Sequence, residues 1–185
     1  MNAKDILNPT LRLFVLTAVA AILLGVVYDI TADPILQRQQ ESEAAAVQSI
    51  FATADESRNE NMSDENITRV LSVFSAGELI GWAIFTSPTG YGGSVDLLVA
   101  IGADGGVKGL QILNHSETPG LGANANSPSF LDQYQNKKTF VKVVKAAPGD
   151  DEVLAITSAT ITSEAVTKGV NNAIAFAAQN LEVQP

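Results

Sequence analysis

The sequence contains no cysteine, which excludes disulfides, thiolate chemistry and cysteine-ligated iron–sulfur clusters. It has one histidine, His115, too few for a histidine-based metal centre. Basic residues are scarce: 11 Lys and Arg stand against 20 Asp and Glu, a formal charge of −9. Setting aside Lys4, Arg12, Asp5 and Asp29 leaves nine basic and eighteen acidic side chains in residues 31–185, so the imbalance lies beyond the N-terminal segment. Nucleic acid is thereby excluded as a partner, because phosphate binding needs clustered Lys and Arg. Any redox role must rely on an organic cofactor. Internal repeats and low-complexity stretches are also missing. What remains is a chain of 185 residues, 46% hydrophobic, enough for one globular domain with an appendage.

The appendage is apolar. Residues 13–28 carry no charge, and residues 11–30 are interrupted only by Arg12 and Asp29. Twenty helical residues at roughly 1.5 Å each span about 30 Å, the thickness of a bilayer core. Arg12 can snorkel to headgroups and Tyr28 suits the opposite interface. Lys4 and Arg12 precede the span and the next basic residue is Arg38, which predicts a cytoplasmic N-terminus and an extracytoplasmic domain. A cleaved signal peptide ending near Ile30-Thr31-Ala32 is the alternative, disfavoured by the length of the apolar stretch. The expected divisions are an anchor over 1–30, a helical stalk and loop over 31–66, and a domain over 67–185.

Asp33-Pro34 has the chemistry of a helix start, with an N-cap carboxylate before a proline. It predicts a stalk helix, continuing from the membrane segment, to about Phe51, while residues 53–66 read as loop. Strands are expected over 67–74, 79–85, 95–101 and 107–113, with glycine turns at Ser75-Ala76-Gly77-Glu78 and Asp104-Gly105-Gly106. Short links imply antiparallel pairing. Residues 129–134 suggest a helical turn, 137–144 a strand and 155–157 a short strand. From Ser163 the apolar positions Val166, Val170, Ala173, Ile174 and Ala177 recur at helical spacing. The fold class is α+β: an antiparallel sheet packed with helices, preceded by one transmembrane helix and a helical stalk. Trp82 falls in a strand pattern and belongs to the core.

Two segments carry the chemistry. Five hydroxyls, on Thr157, Ser158, Thr160, Thr162 and Ser163, fall within seven residues at the start of the last helix. They cap its free N–H groups or, with them, bind phosphate; one geometry serves both. The second segment is Glu117-Thr118-Pro119-Gly120-Leu121-Gly122. Proline fixes one φ and the glycines admit close approach, as in a rigid turn or a ligand wall. Gly90-Tyr91-Gly92-Gly93 reads as either a flexible hairpin loop or a further wall. Lys137, Lys138, Lys142 and Lys145 are a solvated face or a contact for acidic groups. Asp150-Asp151-Glu152 is a solvated loop, and no permanent metal is expected. His115 lacks the partners of a hydrolase triad.

In this order behind one anchor, these segments resemble the FMN-carrying G subunit of Rnf-type electron-transport complexes, and the related C subunit of Na+-translocating NADH:quinone reductase. The resemblance implies FMN joined by a phosphoester to Thr160, the last residue of the Thr157-Ser158-Ala159-Thr160 motif. Ser158 stands where glycine is usual, and Leu154 where an acidic residue is usual. By the same resemblance Thr157, Ser158, Ala159 and Thr162 lie about the phosphate. Glu117, Thr118, Gly120, Leu121, Gly122 and Tyr91 lie about the flavin. It further implies electron relay without independent turnover in an ion-translocating ferredoxin:NAD+ oxidoreductase of the cytoplasmic membrane. The implied partners are other membrane subunits, the lipid bilayer and a transient flavin transferase using FAD. An alternative is an extracytoplasmic module binding FMN or another anion non-covalently, for sensing or assembly.

Overall fold

The computed structural model describes the backbone of residues 3–182 and side chains from residue 10 onward; Lys4, one of the residues that predict the orientation, lies outside the described side chains. The chain divides into two compact units, Met1–Ser42 and Glu43–Pro185. The first is helical, part of helix α1 (Ala3–Ile50). Its apolar side chains face outward, Leu16 at 68% and Leu24 at 71% exposure. It is long and apolar enough to cross a membrane. The stalk continues from the apolar segment as expected, but Asp33-Pro34 does not start a new helix, because α1 runs through it. Proline removes a single backbone bond, and the Ala-, Gln- and Glu-rich stretch that follows is strongly helix-forming.

In the second unit, strands β1 (Glu56–Asn59), β2 (Ile67–Ser75), β3 (Glu78–Thr86), β4 (Val95–Gly102) and β5 (Val107–His115) form an antiparallel sheet in sequential order. β2 to β5 are the expected meander. Ala76 and Gly77 join β2 to β3 with φ of 51° and 80°, the paired positive values of a type I′ turn. β1 corrects the reading of residues 53–66 as loop. All four of its side chains are exposed, so no alternation marks it, and pairing with β2 from Glu56↔Phe74 to Asn59↔Leu71 defines it.

β4 is the central strand of two cores. Val95, Leu97, Val99 and Ile101 face one side and pack with Val166, Val170 and Ala173 of α3 (Thr160–Asn180). Leu98 and Ala100 face the other and pack with Ala46, Val47 and Phe51 at the end of α1. Covered on both faces, β4 reads as a continuous apolar run rather than an alternating one. Trp82 belongs to the α3-side core, as expected.

The connection from β5 to α3 crosses that side. A short helix, α2 (Pro128–Leu131), continues into a 3-10 turn (Asp132–Tyr134), close to the helical turn expected over 129–134. Phe130 and Tyr134 meet edge to face at 5.5 Å. The Tyr134 hydroxyl lies 2.7 Å from Thr167 Oγ1, which itself donates to the Ser163 carbonyl at 2.8 Å, so Tyr134 is the donor of the pair. Burial raises the Tyr134 pKa. The strand expected over 137–144 shortens to β6 (Lys142–Val144), which pairs in parallel with β7 (Glu152–Leu154). Residues 155–157 are not a strand: the ladder ends where the Ala155 N–H donates to the Val144 carbonyl, and the chain then turns into α3.

Candidate functional site

α3 begins at Thr160, three residues before the expected start, and the hydroxyl run does not cap it. Ala159 is the N-cap residue and no side chain bonds the first turn from that position. Ser158 sits in the left-handed region at φ 64°, which turns the chain sharply into the helix. Ser163, fully buried, pins the turn from inside: its Oγ accepts the Ile156 N–H at 2.9 Å and donates to the Ala159 carbonyl at 3.0 Å. The Ser163 N–H closes the first helical bond onto Ala159. The N–H groups of Thr160, Ile161 and Thr162 therefore precede the helical ladder and carry the positive end of its dipole.

Those groups open onto a cleft of about 520 Å³ lined by Ser158, Ala159, Thr160, Ile161 and Thr162 on one side and Tyr91, Glu117, Thr118, Leu121 and Gly122 on the other. The two segments singled out in the sequence thus meet in one place, 45 residues apart at the Glu117–Thr162 contact. The hydroxyls of Thr118, Ser158 and Thr160 make no hydrogen bond within the protein and are free for a ligand. Tyr91, Leu121 and Ile161 are exposed and form an apolar rim at the mouth. Glu117 is the only ionisable carboxylate in the lining, and no Lys, Arg or His joins it.

The loop of residues 117–122 holds its shape by backbone bonds from Leu121 and Ala123 to the Thr118 carbonyl, at 3.1 and 3.2 Å. Gly120, at φ +78°, supplies the left-handed step, and its own carbonyl accepts from Asn124 Nδ2 at 3.0 Å. His115 Nδ1 accepts the Glu117 N–H at 3.2 Å, a shaping contact within the loop. Glu117 is 6% exposed. Its Oε1 accepts the N–H groups of Tyr91 and Gly92 at 2.8 and 3.1 Å, and its Oε2 accepts the Thr162 hydroxyl at 2.7 Å.

Burial pushes the Glu117 carboxyl up, but the bonds from Thr162, Gly92 and Tyr91, with His115 nearby, bring it below its ordinary 4.5. A carboxyl whose pKa is lower in the folded than in the unfolded chain stabilises the fold above the unfolded value, and that contribution disappears as pH falls through the folded value. The stability of the wild type relative to Glu117→Gln is therefore expected to decline as pH drops below 4.5. Denaturant titrations of both proteins over an acid series measure it, and a pH-independent difference would refute the assignment.

Other candidates fall elsewhere. Thr157 lines a neighbouring cleft with Ser129, Gln133 and Leu154, apart from Thr160. Gly120 shapes the loop without lining the cleft. Lys137 and Lys138 reach the carbonyls of Asp150 and Asp104, so half of the lysine run is tied to its own domain. No group of His, Asp or Glu able to hold a metal occurs among the described residues. Ile161 was not singled out in the sequence; its signal was an apolar residue out of phase with the buried stripe from Val166 onward. The whole arrangement, a helix N-terminus with free hydroxyls beneath an apolar rim, suits a ligand with a phosphate at one end and a flat apolar body at the other.

The family model for the FMN-binding domain matches residues 90–175, a stretch that contains the whole cleft. The chain is 34% identical over 174 residues to the G subunit of the proton-translocating ferredoxin:NAD+ oxidoreductase complex of Clostridium ljungdahlii, covering 94% of this chain and 92% of that one. It is 38% identical over 189 residues to the G subunit of the Na+-translocating ferredoxin:NAD+ oxidoreductase complex of Acetobacterium woodii, covering 92% and 91%. The crystal structure of the C subunit of the Na+-translocating NADH-quinone reductase from Parabacteroides distasonis shares the fold, with a TM-score of 0.60 at 20% identity over 81% of this chain and 97% of that one.

Proposed function

We propose, for a chain that belongs to the G-subunit family of ion-translocating ferredoxin:NAD+ oxidoreductase complexes, that Thr160 carries FMN through a phosphoester and that the protein relays electrons inside such a complex. The observation that carries the reading is the position of the Thr160 hydroxyl. It is unpartnered, on the first residue of α3, in a cleft that faces the 117–122 loop. The free N–H groups of the first turn, with Ser158 beside them, meet the phosphate; Leu121, Ile161, Tyr91 and Thr118 flank the ring, with Glu117 and Gly122 forming the wall behind. Bound there, FMN supplies the electron chemistry. The chain binds it, limits water on one side and keeps it near the surface, where another redox subunit can approach. Two features of the cleft fit this cofactor: backbone donors and free hydroxyls at the start of α3, and an apolar rim.

Attachment needs a flavin transferase with FAD as donor. The Thr160 Oγ–P bond forms, the bond between the two phosphates breaks, the hydroxyl proton is released and AMP leaves. The N-terminal helix anchors the protein in the cytoplasmic membrane as a single span over residues 11–30, with the N-terminus cytoplasmic and the domain from residue 67 outside. Its partners are the other subunits of the same complex.

The test is the mass of the full chain co-produced with a flavin transferase in the export compartment, followed by mapping of the tryptic peptide between Lys145 and Lys168. A gain of one FMN less one water on Thr160 is expected. An unmodified chain, beside a second acceptor that the same transferase does modify, would leave the non-covalent binding module as the better reading.

A further inference from the structure

Glu117 lines the cleft, yet its carboxylate is spent on the protein. Three donors from two separate segments converge on it: the amides of Tyr91 and Gly92, and the hydroxyl of Thr162 in the first turn of α3. The space around it is fitted to this residue. A Cβ on Gly90 would collide with Oε1, and one on Gly122 would collide with Oε2. A Cβ on Gly92 would strike the backbone of Ser116, the residue before Glu117. At 6% exposure the carboxylate has little surface left for a ligand.

We propose that Glu117 is a positioning residue: its carboxylate clasps the Gly90–Gly93 loop to the first turn of α3 and so holds Thr160 in the orientation in which its hydroxyl is modified. Tyr91 at one end of the clasp is the exposed rim residue, and Thr162 at the other lies two residues from the acceptor. The clasp therefore sets the width of the cleft and the direction of the acceptor hydroxyl together. The proposal rests on the reading of Thr160 as the flavin acceptor, but the clasp itself exists in the unmodified protein and is measurable there.

The geometry separates shape from charge. In Glu117→Gln the amide oxygen still accepts the Tyr91 and Gly92 N–H groups, and the amide nitrogen donates to Thr162 Oγ1, so the clasp survives without its charge. Glu117→Ala removes it, and Thr162→Val removes only its α3 end with little change in volume. The experiment uses the full chain in detergent micelles, with flavin transferase and FAD, and follows the rate at which FMN becomes covalent. Glu117→Ala and Thr162→Val are expected to attach it about tenfold more slowly or worse, the effect of losing one charge-assisted bond. Glu117→Gln is expected to return the rate to within about threefold of wild type.

Hydrogen exchange of the unmodified variants runs in parallel. Glu117→Ala is expected to speed exchange in residues 90–93 and in residues 159–163 at once, and Glu117→Gln to restore both. Faster exchange confined to residues 90–93, or a Gln variant as slow to modify as Ala, overturns the clasp; the second result would assign the effect to charge. Should the wild type acquire no flavin at Thr160, the acceptor reading fails, and the exchange data still decide the clasp.

Discussion

Thr160→Ala is expected to yield a folded, membrane-inserted chain with no covalent flavin, while Thr160→Ser keeps it. The fold tolerates the change because the side chain, partly exposed at the first position of α3, makes no hydrogen bond within the protein. Alanine also has the higher helix propensity, so stability is expected to stay within about 0.5 kcal/mol of wild type. The loss is complete because no neighbour is placed to replace it. Thr162 is 1% exposed and commits its hydroxyl to Glu117, and Ser163 is fully buried against Ile156 and Ala159. Thr157 opens onto a different cleft. The other free hydroxyls in the cleft are that of Thr118, on the opposite wall, and that of Ser158, on a residue held at φ 64°. Denaturing gels scanned for flavin fluorescence, with intact mass beside them, measure the outcome. Fluorescence that persists in Thr160→Ala and disappears in Ser158→Ala would move the acceptor by two residues.

Gly169→Leu is expected to cost about 3 kcal/mol or more in stability. Gly169 lies on the buried face of α3 where the helix crosses the sheet. A Cβ there would stand 2.5 Å from Leu97 Cδ1, 3.1 Å from Thr86 Cγ2 and 3.2 Å from Pro88 Cγ. Leu97 is fully buried at the centre of the α3-side core and has nowhere to retreat. In Gly169→Ala the gain in helix propensity, about 1 kcal/mol, offsets part of the clash. The leucine variant has no such relief and must push α3 off β4. For a domain of this size, a loss of about 3 kcal/mol corresponds to a fall of about 6–12 °C in Tm. Thermal unfolding followed by far-UV circular dichroism reads it directly. A Leu variant as stable as wild type would mean that α3 can shift along the sheet without loss, and the cleft at its N-terminus would then be free to shift with it.

The two effects meet at α3. The close approach that Gly169 permits fixes the helix on the sheet, and the helix start places Thr160 at the cleft. A helix displaced in Gly169→Leu is therefore expected to accept flavin poorly even in the fraction that folds.

Much of the fold is legible in the chain alone. Its periods mark β2 to β5 and α3, because each buries one or both faces against a core and writes that burial into its side chains. The long apolar segment needs only a count. β1 is not legible, since its four side chains all face solvent and only backbone pairing to β2 makes it a strand. Asp33-Pro34 misleads for the opposite reason: the local signal of a helix start is real but weaker than the helix-forming stretch around it. The parallel pair β6 and β7 joins segments too short for a period to appear.

The sequence by itself determined the chemistry on offer: no thiol, one imidazole, a surplus of carboxylates, a membrane-length apolar run, and two segments rich in hydroxyl and glycine. It also determined that those segments matter, through their residue types. Which of the five hydroxyls are free was decided only by the tertiary structure. A helix start that turns through Ser158 sends Ser163 inward, gives Thr162 to Glu117 and puts Thr157 on a neighbouring cleft, leaving Thr160 and Ser158 open to this one. Hydroxyls one or two residues apart point in different directions once the backbone is fixed, and the backbone here is fixed by contacts with loops dozens of residues away.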